Sequence, residues 1–447
     1  MTSLERRREA RYQRRKAARE RKKQAQYGEC DRLESIASYK ALYRANRISM
    51  RNVSWKASVQ RYQMNLLRNL EETRKKLLAG EDITRGFVEF DTIERGKKRH
   101  IRSVHYTERV AQRSTCDNAL VPILSRSLIY DNGACLEGKG VDWSMDRLTA
   151  HLQQYYRKNG FTNNGWAVLF DFSGYFDSIL HKECFGIYRR AFRDDRIVGL
   201  LESFVVPFGY KVFNSDWKRV DPRERGEYSG KSLGLGSQVS QITAVSYPNS
   251  LDHYIKQVLR VRWYARYMDD GYMLFCTKQE AREAMDHVVA FCDRLGITVN
   301  RKKTRIIPIR QGIKFLKAKH YLTETGKVER RMCRESITRQ RRRLKKFAAK
   351  VAAGEMTVED VSIAHGSWKG YALHRGGGKA IQRMDKLFRE LMGTDPPVCK
   401  LKKKKRKAGK NNGRKRDHER AGRHRQHEGE PGGGDRQRHQ GAVQHRR

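Results

Sequence analysis

Two adjacent carboxylates, Asp269 and Asp270, lie between the apolar, β-prone runs Trp263-Tyr264-Ala265-Arg266-Tyr267 and Gly271-Tyr272-Met273-Leu274-Phe275. Asp269-Asp270-Gly271 is a turn signal, so the segment reads as a β-hairpin with the acids at its tip. Carboxylates crowded at one tip repel each other. A divalent cation relieves that repulsion, and hard oxygen ligands favour Mg²⁺ or Mn²⁺. Taken alone, Asp-Asp in a turn is more often a solvated loop tip. A third acid shifts that balance. Gly165-Trp166-Ala167-Val168-Leu169-Phe170 is a short apolar run suited to a buried strand, and it delivers Asp171. An acid at the end of a buried strand is costly unless it is paired or binds metal. Roughly a hundred residues separate it from the hairpin, enough for the two strands to lie side by side with helices between them. Asp171, Asp269 and Asp270 would then hold two cations about 4 Å apart, the geometry for in-line phosphoryl transfer. Asp177 is an alternative ligand by spacing and is read as structural.

Phe170-Asp171 with Phe176-Asp177, then Tyr267-Met268-Asp269-Asp270, resemble the two acidic palm motifs of reverse transcriptases. Further segments follow that family's order over residues 85–393. Phe87-Val88-Glu89-Phe90, Glu94 to Ile101 and Glu108-Arg109-Val110-Ala111-Gln112 are similar to the fingers motif that brings basic residues to an incoming triphosphate. Leu128 to Ala134 with Gly138-Lys139-Gly140 looks like the next fingers segment of bacterial enzymes. The run 295–304 resembles the palm motif that bears a lysine near pyrophosphate, here Lys303. Gly312 to Lys317 is similar to the primer-grip turn, with Lys317 where the family often has Gly. Ser367-Trp368-Lys369-Gly370-Tyr371 looks like the bacterial thumb motif.

The resemblance implies an α+β right-hand polymerase with fingers, an antiparallel-sheet palm and a helical thumb. Its reaction would be deoxynucleotide addition to a primer on an RNA template. Asp171, Asp269 and Asp270 would hold two Mg²⁺ ions (Mn²⁺ as a substitute), with the Phe172 carbonyl as a further oxygen ligand. Lys303 is a candidate proton donor to pyrophosphate. Phe176 stands where the family places the aromatic that excludes a ribose 2′-hydroxyl. Lys98, Arg99 and Arg109 are candidate phosphate clamps, because ammonium and guanidinium groups complement phosphate. Each is also readable as an ordinary surface charge in so basic a chain. Tyr267, Met268, Ser240, Gln241, Arg342, Arg343, Lys346 and Trp368 are the expected contacts to template and primer.

One loop departs from the commonest pattern. In Leu233-Gly234-Leu235-Gly236-Ser237-Gln238-Val239-Ser240-Gln241, Leu235 replaces the usual Gln and Gln241 the usual Pro. Leu235 and Gly236 are expected beside the incoming nucleotide. The form Leu-Gly-x-x-x-Ser-Gln is similar to enzymes of diversity-generating retroelements within the group II intron-like bacterial lineage, which copy RNA with errors at adenine. A loop without the polar Gln would hold the base pair less rigidly. Two alternatives stay open: an antiviral reverse transcriptase copying a dedicated noncoding RNA, and an RNA-binding maturase-like protein.

Composition agrees with a polyanionic partner. The chain of 447 residues carries 96 Lys and Arg against 50 Asp and Glu, a formal net charge of +46, and nucleic acid is the natural counterpart. The expected partners are template RNA, a DNA primer or cDNA, a structured noncoding RNA and a small basic accessory protein. Eight cysteines without a Cys-x-x-Cys pair read as reduced, mostly buried thiols of a cytoplasmic, bacterial or phage-encoded protein. No apolar run is long enough for a membrane span, and no signal core opens the chain.

The expected organisation is a basic N-terminal extension (1–30, helical over 5–25), a helical N-terminal region with fingers (31–160), a palm (161–325), a helical thumb (326–394) and a basic low-complexity tail (395–447). Leu33, Ile36, Tyr39, Leu42, Tyr43, Leu66, Leu67, Leu70, Leu77 and Leu78 have helix-like spacing. A palm helix is expected over 281–295. Ile337, Leu344, Phe347, Ala348 and Val351 form the apolar stripe of the first thumb helix, and Thr357 caps the second. The tail lacks the apolar content to fold alone, and no RNase H, integrase or zinc endonuclease domain is expected.

Overall fold

The run Trp166–Phe170 has no polar side to turn to water. The computed structural model, which describes residues 2–94, 97–210 and 227–399, buries it from both sides. The strands are β1 (Phe87–Glu94), β2 (Lys97–Val104), β3 (Trp166–Phe170), β4 (Tyr264–Tyr267), β5 (Asp270–Phe275), β6 (Arg305–Pro308), β7 (Ile313–Phe315), β8 (Ala318–Leu322) and β9 (Val328–Met332). β3 is an inner strand of an antiparallel sheet ordered β4-β5-β3-β6. Because side chains alternate along a strand, Val168 and Phe170 enter one apolar cluster with the palm helices. Ala167 and Leu169 enter another with Leu148, Leu152 and Tyr155 of the Val141–Lys158 helix. A strand covered on both faces must be apolar throughout.

The palm helix is Lys278–Arg294, three residues ahead of its expected start. Thr277 and Glu280 form a capping box there, and Ala281, Ala284, Met285, Val288 and Cys292 are the buried stripe. β1 and β2 form the fingers hairpin, followed by the Tyr106–Thr115 helix. The N-terminal helix runs Ser3–Cys30. In the next region the expected apolar stripe is only partly right: Tyr39, Tyr43 and Leu67 are exposed. Ser38 is extended, and its hydroxyl accepts from the Ala41 amide, so a new helix starts at Tyr39 in a different phase. Leu42 faces inward as expected, and Ala45 joins it. Leu67 is out of phase with the buried Leu70 and Leu77.

β7, β8 and β9 make a separate three-stranded sheet. The expected palm–thumb boundary after residue 325 falls inside the β8–β9 hairpin, where the Thr323 amide donates to Lys327 O at 2.9 Å. Ladder pairing keeps β9 with β8, and the thumb helices follow from Arg334: Arg334–Ala352, Val358–Leu373 and Gly378–Met392. Leu344 is buried, with Ile337, Phe347 and Val351 packed against the thumb core. Thr357 caps the second helix through Asp360. All eight cysteines are free; three are buried, and Cys135 and Cys276 are exposed. No described helix is long and apolar enough to cross a membrane. Arg95 and Gly96 of the fingers motif, and the basic tail from residue 400 onward, lie outside the described residues. The architecture is α+β, as the motif order implied.

Candidate active site

Antiparallel pairing of Phe170 with Gly271 sets Asp171 beside Asp270, at neighbouring ends of β3 and β5. The turn itself is Met268-Asp269, because Tyr267 and Asp270 already pair as strand residues. Met268 takes the left-handed conformation at φ 55°. Gly271 is therefore a strand residue and not the turn glycine expected. Its role is steric: a Cβ there would lie 2.2 Å from the Phe170 ring.

Asp171 is buried, and its carboxylate accepts from Lys303 Nζ at 2.7 and 2.6 Å and from Asn300 Nδ2 at 3.3 Å. Two backbone bonds, Asn300 N to Asp171 O (2.7 Å) and Ser173 N to Thr298 O (2.8 Å), tie the 298–303 turn to this strand end. They flank the Phe172–Val299 bridge. Phe172 is thus at a non-hydrogen-bonded position, and its carbonyl turns away from Val299 toward the side of β5 and the acid turn.

Burial and mutual repulsion shift the acids at this corner. Burial raises Asp269 above the ordinary carboxylate range, and the Asp171 charge adds to the shift. Asp270 is raised toward neutrality by burial, then by the charges of Asp269 and Asp171. Burial opposes the charge on Lys303, but its bond to Asp171 and the three carboxylates outweigh that and raise it. Among the described residues no three His, Cys, Asp or Glu side chains already surround one metal position. Instead the Lys303 ammonium stands on both Asp171 oxygens, a cation where a cation is wanted. The donor set, three carboxylates and a main-chain carbonyl, fits a hard divalent ion once Lys303 yields Asp171.

The corner opens on a cleft of about 1020 Å³ that runs from Asp171 and Asp270 past Lys303 to Lys314, Lys317 and Arg334. At its far wall Leu316 and Lys317 form the two-residue β7–β8 turn, both left-handed at φ 46° and 65°. That conformation explains why Gly suits the Lys317 position.

The phosphate-clamp candidates divide by strand alternation. Lys98 lies on the face of β2 that carries an ion-pair ladder; its Nζ is 2.8 Å from Asp91, and His100 and Arg102 meet Glu89 there. Arg99 points to the opposite face, and its charge reaches Asp269. Neighbouring strand residues cannot both face the acids, so the structure separates the expected pair Lys98 and Arg99. Arg109 donates to Ser103 Oγ at 2.8 Å, on the Arg99 face.

Phe176 is half-buried, and its carbonyl accepts from the Leu233 amide at 2.7 Å, which joins it to the 233–241 loop. Leu235 is half-buried. Gly236 packs against β2, where a Cβ would lie 3.1 Å from Arg102 O. Ser237 caps the Gln238–Ser246 helix and bonds Gln112 of the fingers at 2.8 Å. Ser240 is fully buried and has no surface for nucleic acid, whereas Gln241 is exposed. Asp177 is exposed and outside the acid cluster.

Arg342, Arg343 and Lys346 are exposed on the first thumb helix. Trp368 is not: it is thumb core, stacked 5.7 Å from His365. His365 also bonds Gln340 and Asp385, and Asp385 binds Lys369 at 2.8 Å. Those buried polar groups satisfy one another and draw Trp368 inward.

Sequence reasoning missed Arg266. It is fully buried, forks onto Asp252 at 2.8 and 2.6 Å, and donates to Val245 O and Met268 O, each at 2.8 Å. Tyr264 donates to the same Asp252. Arg266 therefore grips the carbonyl of the acid turn from below. Asn132 bridges to Arg266, extending the sheet edge. Asp131 beside it is held by Arg147 (2.5 Å) and Lys256 (2.8 Å). An arginine in an otherwise apolar strand run was the available signal for Arg266.

A family model described as reverse transcriptase (RNA-dependent DNA polymerase) matches residues 130–319. No curated protein matches the chain. Among solved structures, an apo telomerase from Candida tropicalis, truncated from its C-terminal domain, is similar at 12% identity and a TM-score of 0.38. The match covers 54% of this chain and 54% of that one, so the chain spans about half the length of the telomerase structure. The matched segment, residues 130–319, holds all three carboxylates, Lys303 and the β7–β8 turn, and is similar to reverse transcriptase domains.

Proposed function

We propose that the chain extends a primer with deoxynucleotides on an RNA template by two-metal-ion phosphoryl transfer. The observation that carries this reading is the pairing of β3 with β5, which sets Asp171 beside Asp270 at the mouth of the cleft. Asp171, Asp269, Asp270 and the Phe172 carbonyl would hold Mg²⁺ or Mn²⁺. When bound, the ions would activate the primer hydroxyl and neutralise the departing pyrophosphate. Lys303, released from Asp171, then has an ammonium within reach of the leaving group. Arg99 and Arg109 meet the triphosphate, and the half-buried Phe176 ring crowds a 2′-hydroxyl. The exposed cations of the Arg334–Ala352 helix contact template–primer phosphates.

Within that activity we favour a diversity-generating retroelement. The support is the apolar Leu235 in a loop wedged between Phe176 and the fingers strand β2. An apolar side chain leaves the nascent pair without a polar restraint at that point. The test is primer extension by purified protein on RNA with Mg²⁺ and deoxynucleotides, beside the Asp269→Ala, Asp270→Ala double variant, with product sequencing. Product from the wild type alone, with errors concentrated at template adenines, is the expected result. Product without that bias removes the retroelement reading. Product from both proteins removes the assigned acids.

A further inference from the structure

A second cavity, of about 880 Å³, shares no lining residue with the catalytic cleft. Its walls come from Tyr27 at the end of the N-terminal helix, Leu124 and Arg126, the His181–Ala191 helix, and Ser246 to Ser250. The lining is largely apolar, with Ile123, Leu124, Ile187 and Leu295. Against that background its polar groups are anomalous. Among the described residues, all three guanidinium nitrogens of Arg126 are buried without a hydrogen-bond partner, as are Ser246 Oγ and Asn249 Oδ1. A buried guanidinium without an acceptor is among the costliest arrangements a fold can contain. Glu183, the one carboxylate of the lining, does not take it up. The Arg126 guanidinium carbon lies 5.1 Å from the Tyr27 ring, its charge also reaches Cys30, and Arg193 approaches the same ring at 5.4 Å.

The unmet needs specify a ligand. A guanidinium fork calls for a phosphate or carboxylate. Asn249 Oδ1 calls for a donor, since its Nδ2 is already engaged with Ser127 O at 3.2 Å. The Tyr27 ring and the apolar wall call for a flat, weakly polar body. A cavity of this size falls in the range of small-ligand sites, about 300–1,000 Å³. We propose that this cavity is a second nucleotide site, which binds a nucleoside monophosphate through Arg126. Phosphate draws the guanidinium from beneath Tyr27 into the cavity, the base takes its place against the ring, and Asn249 Oδ1 accepts from a base amine or sugar hydroxyl. The nucleotide is either free or one unit of a bound RNA. The site rests on no step of the polymerase reading.

The test uses the full chain with Asp269→Ala and Asp270→Ala, without divalent metal, so that nucleotide uptake by the catalytic cleft is suppressed. Adenosine monophosphate is titrated by calorimetry, with adenosine and inorganic phosphate as separate probes. One equivalent of adenosine monophosphate should bind, at least tenfold more tightly than either probe. Arg126→Gln should weaken it at least tenfold without lowering the melting temperature, because no hydrogen bond is lost. Should that variant misfold, Arg126→Lys and Asn249→Ala each serve, both expected to weaken binding. Displacement of the bound nucleotide by a short oligoribonucleotide would assign the site to RNA, and failure to displace it would assign the site to the free nucleotide. No binding, equal binding of phosphate alone, or binding indifferent to both Arg126 and Asn249 overturns the proposal.

Discussion

The acid turn of the palm and the first thumb helix both concentrate charge, in opposite ways. In the palm, three carboxylates are half-buried or buried in one corner, and a fully buried Arg266–Asp252 pair supports them. In the thumb, Arg339, Arg341, Arg342, Arg343, Lys345 and Lys346 stand in solvent, while Leu344 faces the core. Desolvated charges interact strongly and specifically, whereas solvated ones act weakly and additively through counterion release. Each palm charge should therefore be individually indispensable, and each thumb charge a small increment.

The most severe test is removal of one acid. Asp270→Asn should lower single-nucleotide incorporation by about a thousandfold or more. The melting temperature of the metal-free protein should hold or rise, since a repulsive charge is gone. Loss of stability in step with activity would mean that the carboxylate is structural.

Next in size is the support. Arg266→Ala leaves Asp252 buried and unpaired, and denaturant unfolding should report a loss of about 3–5 kcal/mol. Arg266→Met with Asp252→Leu should recover part of that stability, because an apolar pair needs no desolvation. Activity should stay low, since nothing then holds the Met268 carbonyl. Full activity in the double variant would separate the grip from catalysis.

The raised acids also give the palm a pH signature. In the fold, Asp269 and Asp270 keep protons that the unfolded chain has already lost. The folded state binds more protons in that window, so metal-free stability should fall as pH rises from the ordinary carboxylate range toward neutrality. Thermal melts with and without Asp269→Asn and Asp270→Asn would show the slope flatten in the variant. A slope unchanged by the substitutions would place the titration elsewhere.

In the thumb, Arg342→Ala should weaken template–primer binding uniformly across sequences and reduce the salt-dependence slope by about 1, with turnover unchanged at saturation. A collapse of turnover would make Arg342 resemble a palm charge. The smallest effect is at the β7–β8 turn, where Lys317→Gly removes a side chain from a left-handed conformation. A gain of about 0.5–1 kcal/mol is expected in thermal unfolding, with slightly weaker primer binding from the lost charge.

Much of this was legible in the chain. Asp171 after an apolar run, and Tyr-Met-Asp-Asp between two β-prone runs, announced strand ends bearing acids, because period and turn chemistry are local. The thumb stripe and the Thr357 cap were readable for the same reason. Other features needed contacts between distant segments. Nothing near Lys98 and Arg99 says which of two strand neighbours faces the acids; the pairing with β1 and its acidic side chains does. Trp368 looked like a ligand-facing aromatic until the His365–Asp385–Lys369 network drew that helix face inward.

Sequence by itself determined the chemistry available: three carboxylates, a lysine, a basic thumb and the order of the strands that carry them. Only the tertiary structure decided the rest. It set Asp171 beside Asp270 through the β3–β5 register, put Lys303 on Asp171, buried Arg266 under the turn and left Arg126 without an acceptor among the described residues. The physical reason is one of range. Strand period, caps and turns are set by neighbours in the chain, whereas burial and charge pairing depend on residues a hundred positions away, which no local pattern encodes.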